Sequence, residues 1–415
     1  MPRRLILILV LVLASCATPQ GGGEPILERP AELRHACAMA GPLVDYTPIG
    51  WSGASLAVQA DGTFLLARFE GDGVAPPRLI VSALTASGTE PGLTIPTGTG
   101  SISATALSTS PEGWALVWGE GNEVRFARQD GAGATAPVVV ASASGTIDAV
   151  HLAPLGEGLG VMWQSRAQDQ PQDLRFARID TQGVLQREAH LLARTEGPYY
   201  FLSASLAARE GGLAAIFGDA PARRLAVVTI DPSGMPSAPR ELPLPAAPAG
   251  FQLTESDAFL AATPSGYLAA WSEASFNGDF GMPMGHTVIR LLPLAPDATP
   301  IGEPLLLSRP ENDVDEIQPR LVRIHDSIAV IWARGTRIYV CGGCMPDHRL
   351  RMVLLDPERL VPASNLLADI GAGAPSGLVG HQVAVSGSDV ALAFSVAYHV
   401  SSEPGTTLLR CEPAP

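Results

Sequence analysis

Lysine is absent from this 415-residue chain; every one of its 27 basic residues is arginine. That absence excludes a Walker-type phosphate loop and Schiff-base chemistry, since both need a lysine amine. Charge is sparse, at 16% of residues, and acidic in balance, with a formal net charge of −14. An acidic surface argues against nucleic acid as a partner and against electrostatic docking on anionic lipid. Aromatics make up only 6% of the chain. Past residue 13 no apolar run is long enough to span a bilayer. No stretch carries the 3.6-residue period of an amphipathic helix. Also missing are the Gly-x-Ser-x-Gly elbow, the His-Glu-x-x-His metalloprotease motif and the dinucleotide-binding glycine fingerprint.

The few large aromatics are regularly placed. Phe69, Trp118, Trp163, Phe217, Trp271, Trp332 and Phe394 each end an apolar run, at spacings of 49, 45, 54, 54, 61 and 62 residues. Self-similarity at such a period means stacked supersecondary units. One unit reads as four strands, at 102–108, 114–118, 124–128 and 138–141, with turns at Ser110-Pro111-Glu112-Gly113 and Asp130-Gly131. The units beginning near residues 150 and 204 repeat that order. Short apolar runs broken by Glu-Gly, Asp-Gly and Pro-Ser-Gly are hairpin signals. The expectation is an all-β, seven-bladed β-propeller of four-stranded antiparallel blades, with six blades as the alternative count. The closing aromatics are expected to pack between blades and not to form a ligand cage. The repeat resembles bacterial propellers in general, without the signature pairs of WD repeats, the double glycine of kelch repeats or the Asp-box of sialidases.

The chain starts with Arg3 and Arg4, then an apolar run over 5–13, then Leu13-Ala14-Ser15-Cys16. These residues resemble the lipobox of bacterial lipoproteins. The resemblance implies a signal peptide over 1–15, cleavage before Cys16, and acyl chains on its sulfur and α-amine. Three acyl chains hold a protein on a membrane far better than one. Ala17 stands where many inner-membrane lipoproteins carry aspartate, so the outer membrane is the expected location. Residues 16–30, rich in Gly, Pro, Gln and Glu, read as a flexible tether. Residues 31–415 read as one domain.

The last unit supplies three strands, at 381–385, 390–394 and 406–411, and its missing strand is expected from 33–39 at the other terminus. Cys37 and Cys411 would then face each other and form a disulfide. Cys341 and Cys344 are expected to form a second, local one, in keeping with an exported protein. A metal site of Cys341, Cys344 and His348, and a redox-active dithiol, are the other readings of Cys341-Gly342-Gly343-Cys344.

Function is expected on the face that carries the longest connections, at 272–285, 333–349 and 395–405, over the fifth to seventh units. The candidate binding residues are Phe276, Asp279, Phe280, Met282, Met284, Asp313, Asp315, Tyr339, Asp347, His348, Tyr398 and His399. The acidic run 311–316 lacks the Asp-x-Asp-x-Asp-Gly order of a calcium loop and reads as a solvated turn. His35, His151, His190, His325 and His381 read as ordinary scattered residues. No catalytic residue, cofactor or metal is expected. The favoured function is a lipid-anchored envelope module for a protein or polysaccharide ligand; the alternative is a polysaccharide hydrolase or lyase with carboxylates from different blades.

Overall fold

The computed structural model describes residues 24–40, 44–45, 54–70, 78–85, 87–98, 100–110, 112–197, 202–219, 223–246, 252–276, 287–311, 314–336, 349–370, 378–397 and 402–414. Apart from one turn of 3-10 helix at Ile26–Glu28, the regular structure of these residues is all β. The fold is a β-propeller built of antiparallel meanders.

The alternation of side chains along each strand divides the core between neighbouring sheets. In the strand Gly113–Glu120, Trp114, Leu116 and Trp118 pack on Leu65, Ala67, Phe69 and Val81 of the preceding sheet. Val117, pointing the other way, packs with Ile147, Val161 and Trp163 of the following one. The same division recurs around the ring. Phe217 lies among Met162, Phe176 and Leu192, Trp271 against Ile216 and Val227, and Trp332 against Ile289 and Leu291. The four tryptophans at these positions are 0–2% exposed. The expected inter-sheet role of the aromatics is thus seen at every position where the side chain is described.

Turn chemistry sets each strand's start. Gly212 and Gly266 open second strands at φ +148° and +158°, and a Cβ there would stand 2.3 Å from the Ile230 carbonyl and 2.1 Å from the Leu294 carbonyl. Only glycine fits so close an approach. Turns from third to fourth strands are tied by aspartates whose carboxylates accept main-chain N–H groups two residues on: Asp180 from Gln182, Asp231 from Ser233, Asp297 from Thr299 and Asp356 from Glu358. These are Asx turns.

The expected seven separate four-stranded blades, and the six-bladed alternative, are both corrected by the sheet topology. Five sheets are discrete blades. The first holds Ser55–Val58, Phe64–Glu70, Arg78–Thr85, Gly88–Thr89 and Leu93–Ile95. The second holds Ile102–Ser110, Gly113–Glu120, Glu123–Asp130, Gly133–Ala134 and Val138–Ser142. The third holds Thr146–Leu155, Gly158–Arg166, Asp173–Ile179 and His190–Arg194, and the fourth Leu202–Arg209, Gly212–Asp219, Arg224–Ile230 and Arg240–Glu241. The closing blade comes last. Between the fourth and the closing blade lies one eight-stranded sheet, from Gln252–Thr263 to Leu367–Ile370. The join is local. Leu305–Leu306 pairs with Arg290 and Leu291 of the strand Thr287–Leu294, and the Leu307 amide donates to Ile289, so the cover stops short of Thr287. Thr287 is left at an open edge, where it pairs in parallel with Asp315 and donates its hydroxyl to that carboxylate at 2.7 Å.

The closing blade joins the chain's two ends. His35–Met39 lies antiparallel to Ser402–Pro413, beside Asp389–Ala397 and Leu378–Ser386. Cys37 stands opposite Cys411, and a disulfide links them across 374 residues of sequence. The inner strand Leu378–Ser386 in turn lies against Ser55–Val58, which completes the ring.

Before it joins this blade, the N-terminal segment straps the eight-stranded sheet from outside. Ile26 is fully buried among Leu307, Leu321 and Leu360. The Leu27, Glu32 and His35 amides donate to the carbonyls of Leu307, Pro362 and Ala363. Asn365 closes a two-way bond with the Cys37 backbone, at 3.0 and 3.2 Å. Ile26, within the 16–30 stretch, is thus packed on the sheet.

Removing a native disulfide costs roughly 2–5 kcal/mol. Cys37→Ser is expected to lower the urea midpoint by a corresponding amount, as is reduction of the wild type; unchanged midpoints in both would show that the bond contributes nothing to closure.

Candidate functional site

Antiparallel order puts the second-to-third strand connections and the sheet-to-sheet connections on one face. Phe276 ends a second strand at that face, and Asp315 opens an inner strand there. The other candidate binding residues, Asp279, Phe280, Met282, Met284, Asp313, Tyr339, Asp347, His348, Tyr398 and His399, lie outside the described residues, as do Cys16, Cys341 and Cys344.

Beneath this face the inner strands share an irregularity. One residue bulges between Ile102 and Ala104, between Ile147 and Ala149, and between Leu378 and Gly380. Two bulge between Ser256 and Phe259 and between Ile317 and Arg320. Bulges re-aim side chains and gather beside functional sites. In the wider pair, Asp257 and Gln318 occupy matching positions at φ +51° and +56°. This left-handed region is tolerated by aspartate and uncommon for glutamine. Ser272 ties the two together: its hydroxyl accepts the Gln318 amide at 3.1 Å and reaches the Asp257 carboxylate at 3.4 Å.

Just inside the bulges, register defines one tier around the ring axis. Ala106, His151, Ser205, Phe259, Arg320 and Gln382 each pair with the residue one step before the aromatic of their sheet. The Arg320 guanidinium lies 5.1 Å from the centre of the Phe259 ring. Its Nε donates to the His381 carbonyl at 3.2 Å and its Nη1 to the Pro319 carbonyl at 3.1 Å. Burial lowers its pKa, and the Asp257 charge opposes that shift. Arginine stays protonated regardless.

His381 is 2% exposed, and neither ring nitrogen has a hydrogen-bond partner; the Ile331 carbonyl lies near the ring without forming a well-shaped bond. Nε2 of His151 is likewise buried and unpartnered. Burial, then the Arg320 charge, lowers His151 to about 4 and His381 to about 3. Both are therefore neutral at pH 7.

The histidines are thus not randomly placed. His35 and His325 also meet, stacked at 5.9 Å with planes 7° apart beside Asp326, at the seam where the N-terminal strand joins the ring. Aligned on their aromatics alone, the repeats do not reveal the channel tier. Alignment of the inner strands as well would have shown one arginine where most units carry a small or apolar residue.

A second pattern also went unread. Arg125, Arg175, Arg290 and Arg351 stand directly opposite Trp118, Trp163, Trp271 and Trp332. Glu120 and Glu273 follow their tryptophans by two positions. Trp118 Nε1 donates to Glu120 at 3.1 Å, and Arg125 approaches the same carboxylate at 3.3 Å. Arg290 grips Glu273 with two bonds, at 3.0 and 2.8 Å, both side chains 5% exposed. In the unit of Trp332 the residue two positions on is Arg334, and the carboxylate comes from Glu316 opposite it on the inner strand, held by Arg334 at 3.0 Å, by Trp332 and by Ser308. Asp173 is held by Arg194 and Arg175, and the Arg194 bond is the main reason its pKa falls. Such pairs fix strand register; each carboxylate is already held by arginine.

Stability should fall with acid through the two channel histidines. An unfolded histidine binds its proton near pH 6.5, whereas these stay neutral when folded down to about 4 and about 3. The unfolded state thus gains protons first as pH falls, and folding weakens between 6.5 and those values, by on the order of 3 kcal/mol per histidine at pH 4. Urea unfolding at pH 7 and pH 4 is expected to show a smaller acid loss in His151→Gln than in the wild type; equal losses would mean that His151 does not titrate this way.

No protein-family model matches the chain, and no curated protein sequence does. Among solved structures the chain is similar to a protein of unknown function from Dyadobacter fermentans DSM 18053, at 10% identity and TM-score 0.48, covering 91% of this chain and 100% of that one. It is also similar to a thermostable family-43 glycoside hydrolase, at 12% identity and TM-score 0.36, covering 76% of this chain and 95% of that one. A prolyl endopeptidase matches at 12% identity and TM-score 0.46, covering 85% of this chain and 47% of that one.

Proposed function

We propose that this propeller is a lipid-anchored binding module of the cell envelope, held at the outer membrane through Cys16, and that it takes a protein or polysaccharide ligand on the face carrying its longest connections. The observation that carries the reading is the set of inner-strand bulges under that face, at one level in five of the meanders. A ring of sheets is a rigid support, and bulges aligned at its mouth aim side chains at a common space.

A binding role is favoured over polysaccharide hydrolysis or elimination by the state of the carboxylates. Glycoside cleavage needs two carboxyl groups facing one substrate, one of them free to give up a proton. Asp173, Glu273 and Glu316 are instead each gripped by arginine.

Two experiments test the reading. Cys16→Ser is expected to move the protein from the membrane fraction to the soluble fraction and to remove the mass of the acyl chains; membrane retention by the variant would dismiss the lipid anchor. Separately, replacement of residues 277–286 and 337–348 by short Gly-Ser linkers is expected to abolish retention on immobilised envelope polysaccharide and capture of envelope protein. Equal retention and capture by the shortened and intact proteins would remove these connections from the site.

A further inference from the structure

Arg320 is a cation on the axis of the ring, and its surroundings do not neutralise it. Among the described residues it makes no ion pair; its two hydrogen bonds go to main-chain carbonyls, those of His381 and Pro319. Those bonds leave most of its five N–H donors unengaged. Arg320 is part-buried, and its free N–H groups stay open to solvent and so to a dissolved anion. Asp257 attracts it from beyond ion-pair distance while sharing a hydrogen bond with Ser272.

The groups around it are suited to completing an anion site. His151 of the third blade and His381 of the closing blade both stand close enough to feel the Arg320 charge. Each neutral imidazole carries one N–H, and each has a ring nitrogen that is buried and unpartnered. Phe259 lies against the guanidinium and accepts no hydrogen bond from it. The guanidinium fork matches the oxygens of a carboxylate or a phosphate better than it matches any neutral partner.

We infer that the channel binds a small oxyanion, a phosphate or a carboxylate, on Arg320, with His151 and His381 as N–H donors. The site stands apart from the long connections: it is made by inner strands and needs no residue of 277–286 or 337–348. The anion is either free in solution or the charged end of a larger ligand seated at the mouth.

Isothermal titration at pH 7 with inorganic phosphate, and separately with acetate, at ionic strength held constant with sodium chloride, tests the inference. Saturable binding of at least one of the two anions is expected, and the anion bound identifies the source chemistry. Arg320→Gln should abolish the binding. His151→Gln should weaken it about ten-fold or more, as loss of a bond to a charged group does. The protein with shortened connections should bind like the wild type, so that failure of the loop reading leaves this result intact. No saturable binding of either anion, or equal affinity in wild type and R320Q, would overturn the inference. If R320Q does not fold, His151→Gln decides: unchanged affinity would overturn it.

Discussion

The structure depends on the packing of one sheet's face against the next. Each strand sends alternate side chains to opposite neighbours, so no sheet completes a core alone. Leu116 and Val117 belong to different interfaces although they are adjacent in sequence. A linear stack would leave the outer faces of its first and last sheets bare, with several aromatic and aliphatic side chains exposed on each. A closed ring has no outer faces. Trp118, Trp163, Trp271 and Trp332, all but fully buried, act at these contacts, which explains why so few aromatics suffice.

Closure concentrates the burden at one seam. The described core between the closing and first blades is small: Phe64, Leu84, Ala384 and Ala391 are its buried members. The compensating strength lies one sheet back. There the N-terminal segment is sewn to the eight-stranded sheet by main-chain bonds at Leu27, Glu32 and His35, by ion pairs from Arg34 to Asp326 and Asp356, and by Arg359 with Glu32. The same segment then becomes the edge strand of the closing blade and carries Cys37 to Cys411. One stretch of chain thus covers an exposed edge, fastens two sheets together and closes a long loop, which is the usual remedy for a strand left unpaired at an edge. A ring fastened in this way holds its axis rigid, and a cation such as Arg320 can be kept there at fixed separation from groups on three different sheets.

Much of this was legible in the residues, for physical reasons. The aromatic spacing marked the repeat because a large side chain is the cheapest filler for an inter-sheet gap. The glycine and aspartate turns marked strand ends because φ and Asx bonding constrain residue type there. The Cys37–Cys411 pairing followed from the last unit lacking a strand. The division into sheets was not legible: the two meanders are joined by one parallel pair, Thr287 with Asp315, and a single pair leaves no mark on hydrophobic period. The channel tier was hidden because its members lie far apart in sequence and only register brings them to one level. Lone histidines such as His151 and His381 look like any others until the ring sets them around Arg320. The arginine–tryptophan cross-strand pairs were hidden for the same reason.

Native-state hydrogen exchange tests the closure most directly. If the ring is held by its terminal strands, the amides of residues 35–39 and 409–413 that lie in the ladder exchange only through global unfolding, with protection equal to that of 328–333 around Trp332. Protection of the terminal pair well below that of the Trp332 strand, with exchange through local opening at low denaturant, would contradict the account.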